Sequence, residues 1–502
     1  MGILAKYESS LVAEYAGNPL IEALPPILSE QQAAEAIAHF PVLVDTERQL
    51  PKEIRLHCIG RLKALVQPLP IHLELEGAVS ALLRSGYVSR NPMLGSTWRH
   101  LNSLSTDRKN IGNFTSSAST FSLIGLSGIG KTTALEAILH LYPQVLVHHR
   151  YQGREFLHTQ IVWLKLECPF DGSLSGLCLA FFKAVDRALG VDKYARRYKN
   201  KAGILQMIES MEQLASTYFI GALFIDELQH LNAAKTGGKD NMLNFFVNLI
   251  NSIGIPVAFI GTNSMVDLFS DILRNARRAC GLGTVDFRQP EQNDVAWDML
   301  VDVVWDYQWV QNPAILTPQI RTTLYDLTQG VTDFLAKMMM LGQRYAIQAN
   351  IETLNSDVFQ HVADTKMKLL KPAIAALRSR DPKKMRQFED LLPTDVQIDN
   401  MMKEASLPDS TDRLALLRAT RPDASGRRSV PTASQVEKQL EKDVASDSVT
   451  VLSDQNTANS PNIIISEAAV ISKHQNPLSA MRDMHWLVKD PFEFSDVYRQ
   501  PM

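Results

Sequence analysis

The sequence has few cysteines, and none of them is arranged as a metal site. Only four of its 502 residues are cysteine, namely Cys58, Cys168, Cys178 and Cys280. They form no Cys-x-x-Cys pair and no Cys/His cluster, the patterns typical of zinc sites and redox motifs. We therefore expect reduced, mostly buried thiols in a cytosolic protein. We expect His57, beside Cys58, to be incidental rather than a ligand.

The sequence also lacks a strong charge of either sign and a long apolar run. The formal net charge of −3 gives no global attraction to nucleic acid or to an anionic membrane, so any basic surface must be local. No apolar stretch approaches the length of a membrane span. The N-terminus contains Glu8 and Glu14 and does not have the pattern of a signal peptide. The hydrophobic content of 45% predicts a soluble globular protein, with room for two or three domains.

A phosphate-binding motif lies at residues 120–133. The apolar run 121–124 precedes Gly125-x-x-x-x-Gly130-Lys131-Thr132, and a helical pattern follows it over 132–141. A strand before and a helix after form the context that a P-loop requires, although an ordinary glycine-rich turn is the alternative. The glycines let successive N–H groups point at phosphate oxygens, and the helix N-terminus and a lysine add positive charge. The predicted nucleotide contacts are Gly125, Ser127, Gly128, Gly130, Lys131, Thr132 and Thr133.

An acidic pair follows a second apolar strand. Residues 219–225 end in Asp226-Glu227, a pattern that follows a P-loop in ATPases. We expect Asp226 to hold Mg2+ together with the Thr132 hydroxyl, and Glu227 to orient and deprotonate the attacking water. A solvated turn is the alternative. The next strand, 255–260, leads to Thr262 and Asn263, either of which suits a hydrogen bond to the γ-phosphate, although a plain strand end uses the same residue types.

Arginines follow at 274–278. Arginine suits the neutralisation of charge on a transferred phosphoryl group, often from a neighbouring subunit. Arg277 and Arg278 are the candidates, with Arg274 behind them. A basic helix end, favourable to the helix dipole, explains the same residues equally well.

Residues 193–201 hold five basic residues, two tyrosines and no acid. Neutralisation of phosphates dominates affinity for nucleic acid, and aromatic rings can lie against sugars or bases. We predict a DNA-backbone contact here, and Lys235 and Lys239 suit the same surface; a solvated charged face is the alternative. The predicted DNA contacts are Lys193, Arg196, Arg197, Lys199 and Lys201.

Alternating strand and helix patterns over 115–290 predict a three-layer α/β domain with a parallel sheet. Its strands are expected at 121–124, 161–166, 219–225 and 255–260, and a helix at 174–189 buries Phe181 and Phe182. Residues 291–395 predict an all-α domain in which the run Met338-Met-Met340 packs in a core. The predicted organisation is an N-terminal extension over 1–90, an ATPase core over 91–290, a helical lid over 291–395, a mostly disordered linker over 396–465 and a partner-docking tail over 466–502. A strand or helix that folds back on the body is the alternative for the tail.

Two N-terminal stretches are distinctive. Asn18-Pro-Leu-Ile-Glu-Ala-Leu-Pro-Pro26 predicts an extended apolar peptide on a surface groove, its own or a neighbour's. A helix over 71–85 is expected to end at Gly86. The stretch 86–92 then predicts a turn that exposes Tyr87 and Arg90, either as a contact to a base or a subunit or as a plain connection.

With these residues together, nearly the whole chain resembles the TnsC family, AAA+ ATPases that regulate target selection in Tn-type DNA transposition. The resemblance rests on the two N-terminal stretches, the P-loop, Asp171-Gly-Ser-Leu174, 181–190, Ile225-Asp-Glu-Leu-Gln-His-Leu231, Met242-Leu-Asn-Phe-Phe-Val247, Arg274-Asn-Ala-Arg-Arg278 and Gln329-Gly-Val-Thr-Asp333. Many AAA+ lids carry a phosphate-contacting arginine. This chain has Asp333 near that place, and only Lys337 follows a turn later.

The resemblance implies an AAA+ P-loop ATPase that uses ATP and Mg2+ and assembles as a homo-oligomeric ring or filament on double-stranded DNA. It implies that the N-terminal part meets a target-selection protein and that the tail, around 486–498, meets the transposase. It implies a bacterial cytoplasmic protein, associated with the nucleoid when on DNA. Two alternatives stay open: an AAA+ loader or remodeller that acts on a protein partner without DNA, and a nucleotide-dependent scaffold that barely hydrolyses.

Overall fold

The strand that carries the P-loop lies inside a five-stranded parallel sheet. The computed structural model describes residues 2–106, 116–198, 203–233, 254–265 and 282–381, together with Met242, Phe245, Phe246, Leu249 and Ile250, all within one unit over residues 1–413. The strands of this sheet are β2 (Thr120–Gly125), β5 (Trp163–Glu167), β6 (Ala222–Asp226), β7 (Val257–Gly261) and β8 (Thr284–Phe287). Their order in the sheet is β5-β6-β7-β2-β8.

This order sets the location of the site. The chain leaves β2 for the far edge of the sheet, returns strand by strand to β7, and then passes β2 to form β8 on its other side. All neighbouring pairs run parallel. Ligands bind outside the carboxyl ends of such strands where the order reverses, which here is the end of β2. The sheet confirms the predicted α/β fold and a strand at each of the four predicted places, and it adds β8. β5, β6 and β7 begin two or three residues later than predicted.

Three other strands form a second, smaller sheet. It contains β1 (Ile3–Leu4), β3 (Val145–Tyr151) and β4 (Arg154–Ile161), in the order β1-β3-β4. β1 runs parallel to β3, and β3 and β4 form an antiparallel hairpin. These three strands were not predicted from the sequence.

Helices of the core flank the large sheet. They are α6 (Lys131–Leu139), α7 (Leu174–Leu189), α8 (Tyr194–Arg197) and α9 (Ile204–Thr217). In α7, Ser173 caps the N-terminus and Gly190 ends the helix in the left-handed conformation, as expected for a C-terminal glycine. Phe181 and Phe182 are buried, which confirms that they belong to the core.

The N-terminal part contains α1 (Pro19–Glu22), α2 (Glu30–Ile37), α3 (Lys52–Cys58), α4 (Pro70–Val88) and α5 (Gly95–Thr106). The peptide around α1 lies against its own chain. Asn18 caps α1 and donates a hydrogen bond to the Tyr87 carbonyl at 2.8 Å. The Glu22 carboxylate accepts one from the Tyr151 hydroxyl at 2.6 Å. The prediction of an extended peptide is wrong locally, because four of these residues form a helical turn.

The prediction of an exposed turn after Gly86 is also wrong. α4 continues to Val88, and Tyr87 and Arg90 are buried. The Tyr87 hydroxyl donates to the Phe219 carbonyl at 2.9 Å, and Arg90 Nη1 donates to the Ile220 carbonyl at 2.8 Å. These carbonyls directly precede β6. Unpaired buried carbonyls are costly, so the two side chains stabilise the entry into the strand that carries the acidic pair.

The C-terminal described helices form an all-α region, as predicted. They are α10 (Val295–Asp306), α11 (Pro318–Thr328), α12 (Thr332–Gln348), α13 (Ser356–Thr365) and α14 (Lys371–Ser379). Met338, Met339 and Met340 are buried in α12, which confirms their core role. We call residues 291–381 the lid.

The N-terminal part also packs on the lid. Arg55 donates to both carboxylate oxygens of Glu352, at 2.7 and 2.8 Å, and to the Trp309 carbonyl at 3.0 Å. The Trp309 indole N–H donates to Glu47 Oε2 at 2.9 Å. One continuous stretch of chain therefore contacts both the sheet and the lid.

The predicted linker over 396–465 and tail over 466–502 lie outside the described residues. Within the described part, every helix is too short or too polar to cross a bilayer. Cys58, Cys168 and Cys178 are buried free thiols, and Cys280 lies outside the described residues. Burial raises the pKa of Cys168 and of Cys178 to about 12, so both thiols are unreactive at neutral pH.

Candidate nucleotide-binding site

The loop between β2 and α6 has the backbone shape of a phosphate cradle. Gly128 and Gly130 adopt positive φ angles of 76° and 103°, a region that side chains disfavour, and Gly130 is the N-cap of α6. At Gly125, an added Cβ would lie 2.3 Å from the Phe287 carbonyl oxygen of β8. Glycine is therefore required at the start of the loop by close packing and at its end by backbone conformation.

Lys131 begins α6 and is buried against this loop. Its ammonium donates to the carbonyls of Gly125 at 2.9 Å and of Leu126 at 2.7 Å. The charge is held within the cradle, at the helix N-terminus, where an anion is favoured. Ser127 is half-buried in the loop, and Thr133 is exposed on the first turn of α6.

Thr132 and Asp226 meet across the sheet. The Thr132 hydroxyl donates to Asp226 Oδ2 at 2.9 Å, and Asp226 is 3% exposed at the end of β6. The Lys165 ammonium lies 3.4 Å from the same Oδ2. A hydroxyl and a carboxylate are the oxygen ligands that Mg2+ prefers, and this ion usually completes its shell with phosphates and water. The two side chains fit an Mg2+ site of that kind.

Glu227 follows directly, with a positive φ of 57°. Its N–H donates to Asp226 Oδ1 at 2.9 Å, and its carboxylate accepts from the Gln229 amide. Burial raises the pKa of Glu227, and the negative charge of Asp226 raises it further. Such a shift moves a carboxylate toward the range of a working general base.

The end of β7 contributes Thr262 to the same region. Thr262 is buried; its N–H donates to Gln229 Oε1 at 3.3 Å, and its hydroxyl shares a hydrogen bond with Ser264 at 2.8 Å. Asn263 is exposed at the start of a short 3-10 turn, Asn263–Met265. The predicted arginines Arg274, Arg277 and Arg278 lie outside the described residues.

One cavity of about 390 Å³ brings together most of the predicted site residues, namely Ser127, Gly128, Gly130, Lys131, Thr132, Thr133, Asp226, Glu227 and Thr262. Gly125 and Asn263 are not among its lining residues. Part of the cavity wall was not predicted from the sequence: the N-terminal segment that includes Leu62, Val66, Leu69 and His72. His72 Nδ1 accepts from the Leu69 N–H at 3.1 Å, and burial lowers the His72 pKa to about 4, so the ring is neutral at pH 7. This wall is largely apolar, as the wall of a ligand pocket usually is. No motif indicated it, because only the fold brings it to the P-loop.

The lid closes another side of the cavity. The Asp333 N–H donates to the Gly128 carbonyl at 3.1 Å, and the Thr332 hydroxyl donates to the Ile129 carbonyl at 2.7 Å. Lys337 lines the cavity and forms an ion pair with Asp333. The start of α12 therefore rests directly on the phosphate loop.

The basic segment divides into buried and exposed parts. Tyr198 is buried and stacks on Phe182 with ring centroids 4.5 Å apart, and the hydroxyls of Tyr194 and Tyr218 lie 2.7 Å apart. The predicted aromatic contact with nucleic acid is thus wrong for Tyr198, which belongs to the core. Lys193, Arg196 and Arg197 are exposed, whereas Lys199, Lys201, Lys235 and Lys239 lie outside the described residues.

Comparison with known proteins supports the ATPase assignment. Residues 115–269 match the family model AAA_22, described as an AAA domain. No curated protein matches the chain. The match, together with the loop and the paired carboxylates, identifies a P-loop ATPase domain of the AAA type, and the chain is an ATP hydrolase.

Several solved structures are similar to this chain, at low identity and low TM-score. Cdc6p from Pyrobaculum aerophilum is 12% identical, with coverage of 67% of this chain and 89% of that chain and a TM-score of 0.36. The Walker-type ATPase of Pyrococcus abyssi is 12% identical, with coverage of 61% and 87% and a TM-score of 0.33. Drosophila ORC bound to DNA is 12% identical, with coverage of 67% and 83% and a TM-score of 0.32. Likeness at this level does not indicate what this chain binds.

Proposed function

We propose that this ATPase is a regulator of DNA transposition that resembles the TnsC family. It assembles on target DNA when ATP is bound, links a target-selection protein to the transposase, and is released by hydrolysis. The observation that carries the proposal is the set of specific strings outside the P-loop, from 18–26 and 86–92 through 329–333. The stretch 18–26 contacts β4, where Gln160 donates to the Leu20 carbonyl. The stretch 86–92 contacts the residues before β6 through Tyr87 and Arg90.

Thr132 and Asp226 would hold Mg2+, which neutralises charge on the phosphates when it is bound. The backbone N–H groups of the loop and the Lys131 ammonium bind the phosphate oxygens. Glu227 accepts a proton from the attacking water. Arg277 and Arg278 are proposed to act on the nucleotide of the neighbouring subunit, so that ATP joins two subunits.

The proposed DNA contact is the exposed basic surface of Lys193, Arg196 and Arg197. The backbone under it is well ordered by hydrogen bonds. Asp186 accepts N–H donors from Lys193, Tyr194 and Ala195 at 2.8 to 3.2 Å. This places the two arginines on a short fixed helix, and each phosphate that they neutralise strengthens binding in a salt-dependent way.

A DNA-binding assay tests the proposal. Anisotropy of a labelled duplex is measured with ATP, with ADP and without nucleotide. We expect tight binding with ATP only. Binding that is equal in all three conditions, or absent in all three, would contradict the proposal and favour a loader or remodeller that acts on protein alone.

A matched pair of variants tests the surface. Arg196→Ala with Arg197→Ala should weaken DNA binding and reduce the salt slope by about 2, at roughly 0.9 per lost contact. The control is Arg150→Ala with Arg154→Ala, an exposed arginine pair on the β3–β4 hairpin. Equal DNA affinities for the two double variants would place the DNA contact elsewhere. ATP binding should be unchanged in both.

A further inference from the structure

Gln229 joins two parts of the site that the sequence motifs treat separately. Its amide nitrogen donates to Glu227 Oε2, and its amide oxygen accepts from the Thr262 N–H at 3.3 Å. A backbone N–H can only donate, so the contact with Thr262 fixes which end of the amide faces Glu227. The catalytic-base candidate is thereby tied to the end of β7.

The space for this amide is small. An added Cβ at Gly261 would lie 2.7 Å from Gln229 Oε1 and 2.7 Å from Met265 Sδ. Thr262 is 5% exposed, so its N–H would be left without a partner if the amide were removed. Gly261 does not have a positive φ, so glycine is needed here for close packing against Gln229 and Met265 rather than for a backbone turn.

A general base needs a defined orientation. A carboxylate on a freely rotating side chain directs its lone pairs at the attacking water only part of the time, and a misplacement of about 1 Å can lower a rate about 100-fold. Glu227 already has an unusual backbone conformation, with φ 57°. A donor on Oε2 restricts the rotation of the carboxylate, and Oε1 is then the oxygen that would accept a proton from the water.

We propose that Gln229 is a positioning residue for ATP hydrolysis, which orients the Glu227 carboxylate and couples it to Thr262 at the end of β7. The proposal concerns the hydrolysis step of the ATPase and does not depend on whether the chain acts on DNA.

The main variant is Gln229→Met, which keeps the side-chain length and removes both hydrogen bonds. We expect single-turnover hydrolysis to slow by about 10- to 100-fold. Binding of a fluorescent ATP analogue should stay within about twofold, because Gln229 acts through Glu227. The control is Gln31→Met, which breaks a Gln–Glu contact of 3.0 Å on the surface, and its rate should not change.

A second variant displaces the amide without deleting it. Gly261→Ala puts its Cβ against the far ends of two flexible side chains, Gln229 and Met265, so we expect the fold to be kept and hydrolysis to slow. In the Gln229→Met background, Gly261→Ala should cause no further loss. Likewise, Gln229→Met should cause no further loss in the Glu227→Gln background.

Two results would overturn the proposal. One is an unchanged hydrolysis rate in both Gln229→Met and Gly261→Ala while ATP is bound normally. The other is an equal additional loss when Gln229→Met is added to Glu227→Gln, because Gln229 would then act independently of the base. DNA binding is not a readout in either case, so failure here is distinct from failure of the proposed DNA function.

Discussion

Arg55 and Glu352 form a two-bond ion pair that connects the N-terminal part to the lid. Both guanidinium nitrogens donate to the carboxylate, at 2.7 and 2.8 Å, and the Arg55 side chain is 2% exposed. The Gln311 N–H also donates a hydrogen bond to this carboxylate, at 3.1 Å from Glu352 Oε2. The arginine of this two-bond pair is shielded from water, whereas the Glu352 side chain is 14% exposed.

Arg55→Met should destabilise the protein by about 3–5 kcal/mol, because it leaves the Glu352 carboxylate without its cation in a partly buried site. Urea unfolding measures this change. The control is Lys371→Met, which breaks an exposed ion pair with Asp364 and should cost about 1 kcal/mol or less. Similar losses in the free energy of unfolding for the two variants would show that the Arg55–Glu352 pair adds little to stability.

The same pair predicts a pH dependence. The hydrogen bonds from Arg55 lower the pKa of Glu352. A carboxyl group with a lowered folded-state pKa adds stability above its unfolded-state pKa of about 4.3 and loses it as the pH falls through the folded-state value. The stability difference between wild type and Arg55→Met should therefore be full at pH 7 and shrink in that acid range. A difference that is constant with pH would contradict the assignment.

Lys131→Ala should abolish binding of ATP, or weaken it by about 100-fold, because the cation in the phosphate cradle is lost. Titration of a fluorescent ATP analogue checks this. Lys183→Ala, at an exposed position of α7, is the control and should bind normally. Normal affinity in Lys131→Ala would place the nucleotide elsewhere.

Gly221→Ala should be strongly destabilising, by about 3 kcal/mol or more. Its Cβ would lie 2.2 Å from the Val162 carbonyl oxygen and 2.6 Å from the Tyr87 hydroxyl. Gly77→Ala is the control: it lies in α4 with open space around it and should stabilise the protein by up to about 1 kcal/mol. Thermal unfolding gives the melting temperature of each variant. A melting temperature for Gly221→Ala that equals or exceeds that of wild type would show that the packing relaxes around the added methyl group.

The parts of the fold predicted from the sequence are those with a local signal. Strands such as β2 and β6 are buried on both faces, so they read as apolar runs bounded by glycine or acid. The four-residue β8 has a half-exposed pattern, and the β3–β4 hairpin carries polar residues such as His149 and Arg150. The sequence patterns of these strands were too weak for the strands to be predicted.

The parts missed depend on distant contacts. Tyr87 and Arg90 follow a glycine and precede a proline, which is typical of an exposed turn. They are buried because carbonyls of residues 219–221 need donors. The motif placed Lys131, Thr132, Asp226 and Glu227 at one site, since strand ends of a parallel sheet share an edge. The apolar wall near His72 and the amide of Gln229 required the structure.

The measurement that most directly tests the central claim, ATP-dependent assembly on DNA, uses the Glu227→Gln variant. Sedimentation of a labelled duplex is followed with this variant and ATP, and then after dilution into excess ADP. We predict a fast-sedimenting complex of several subunits that persists after dilution, while wild type releases the DNA. A duplex that sediments as free DNA in the presence of ATP and the variant would contradict the account.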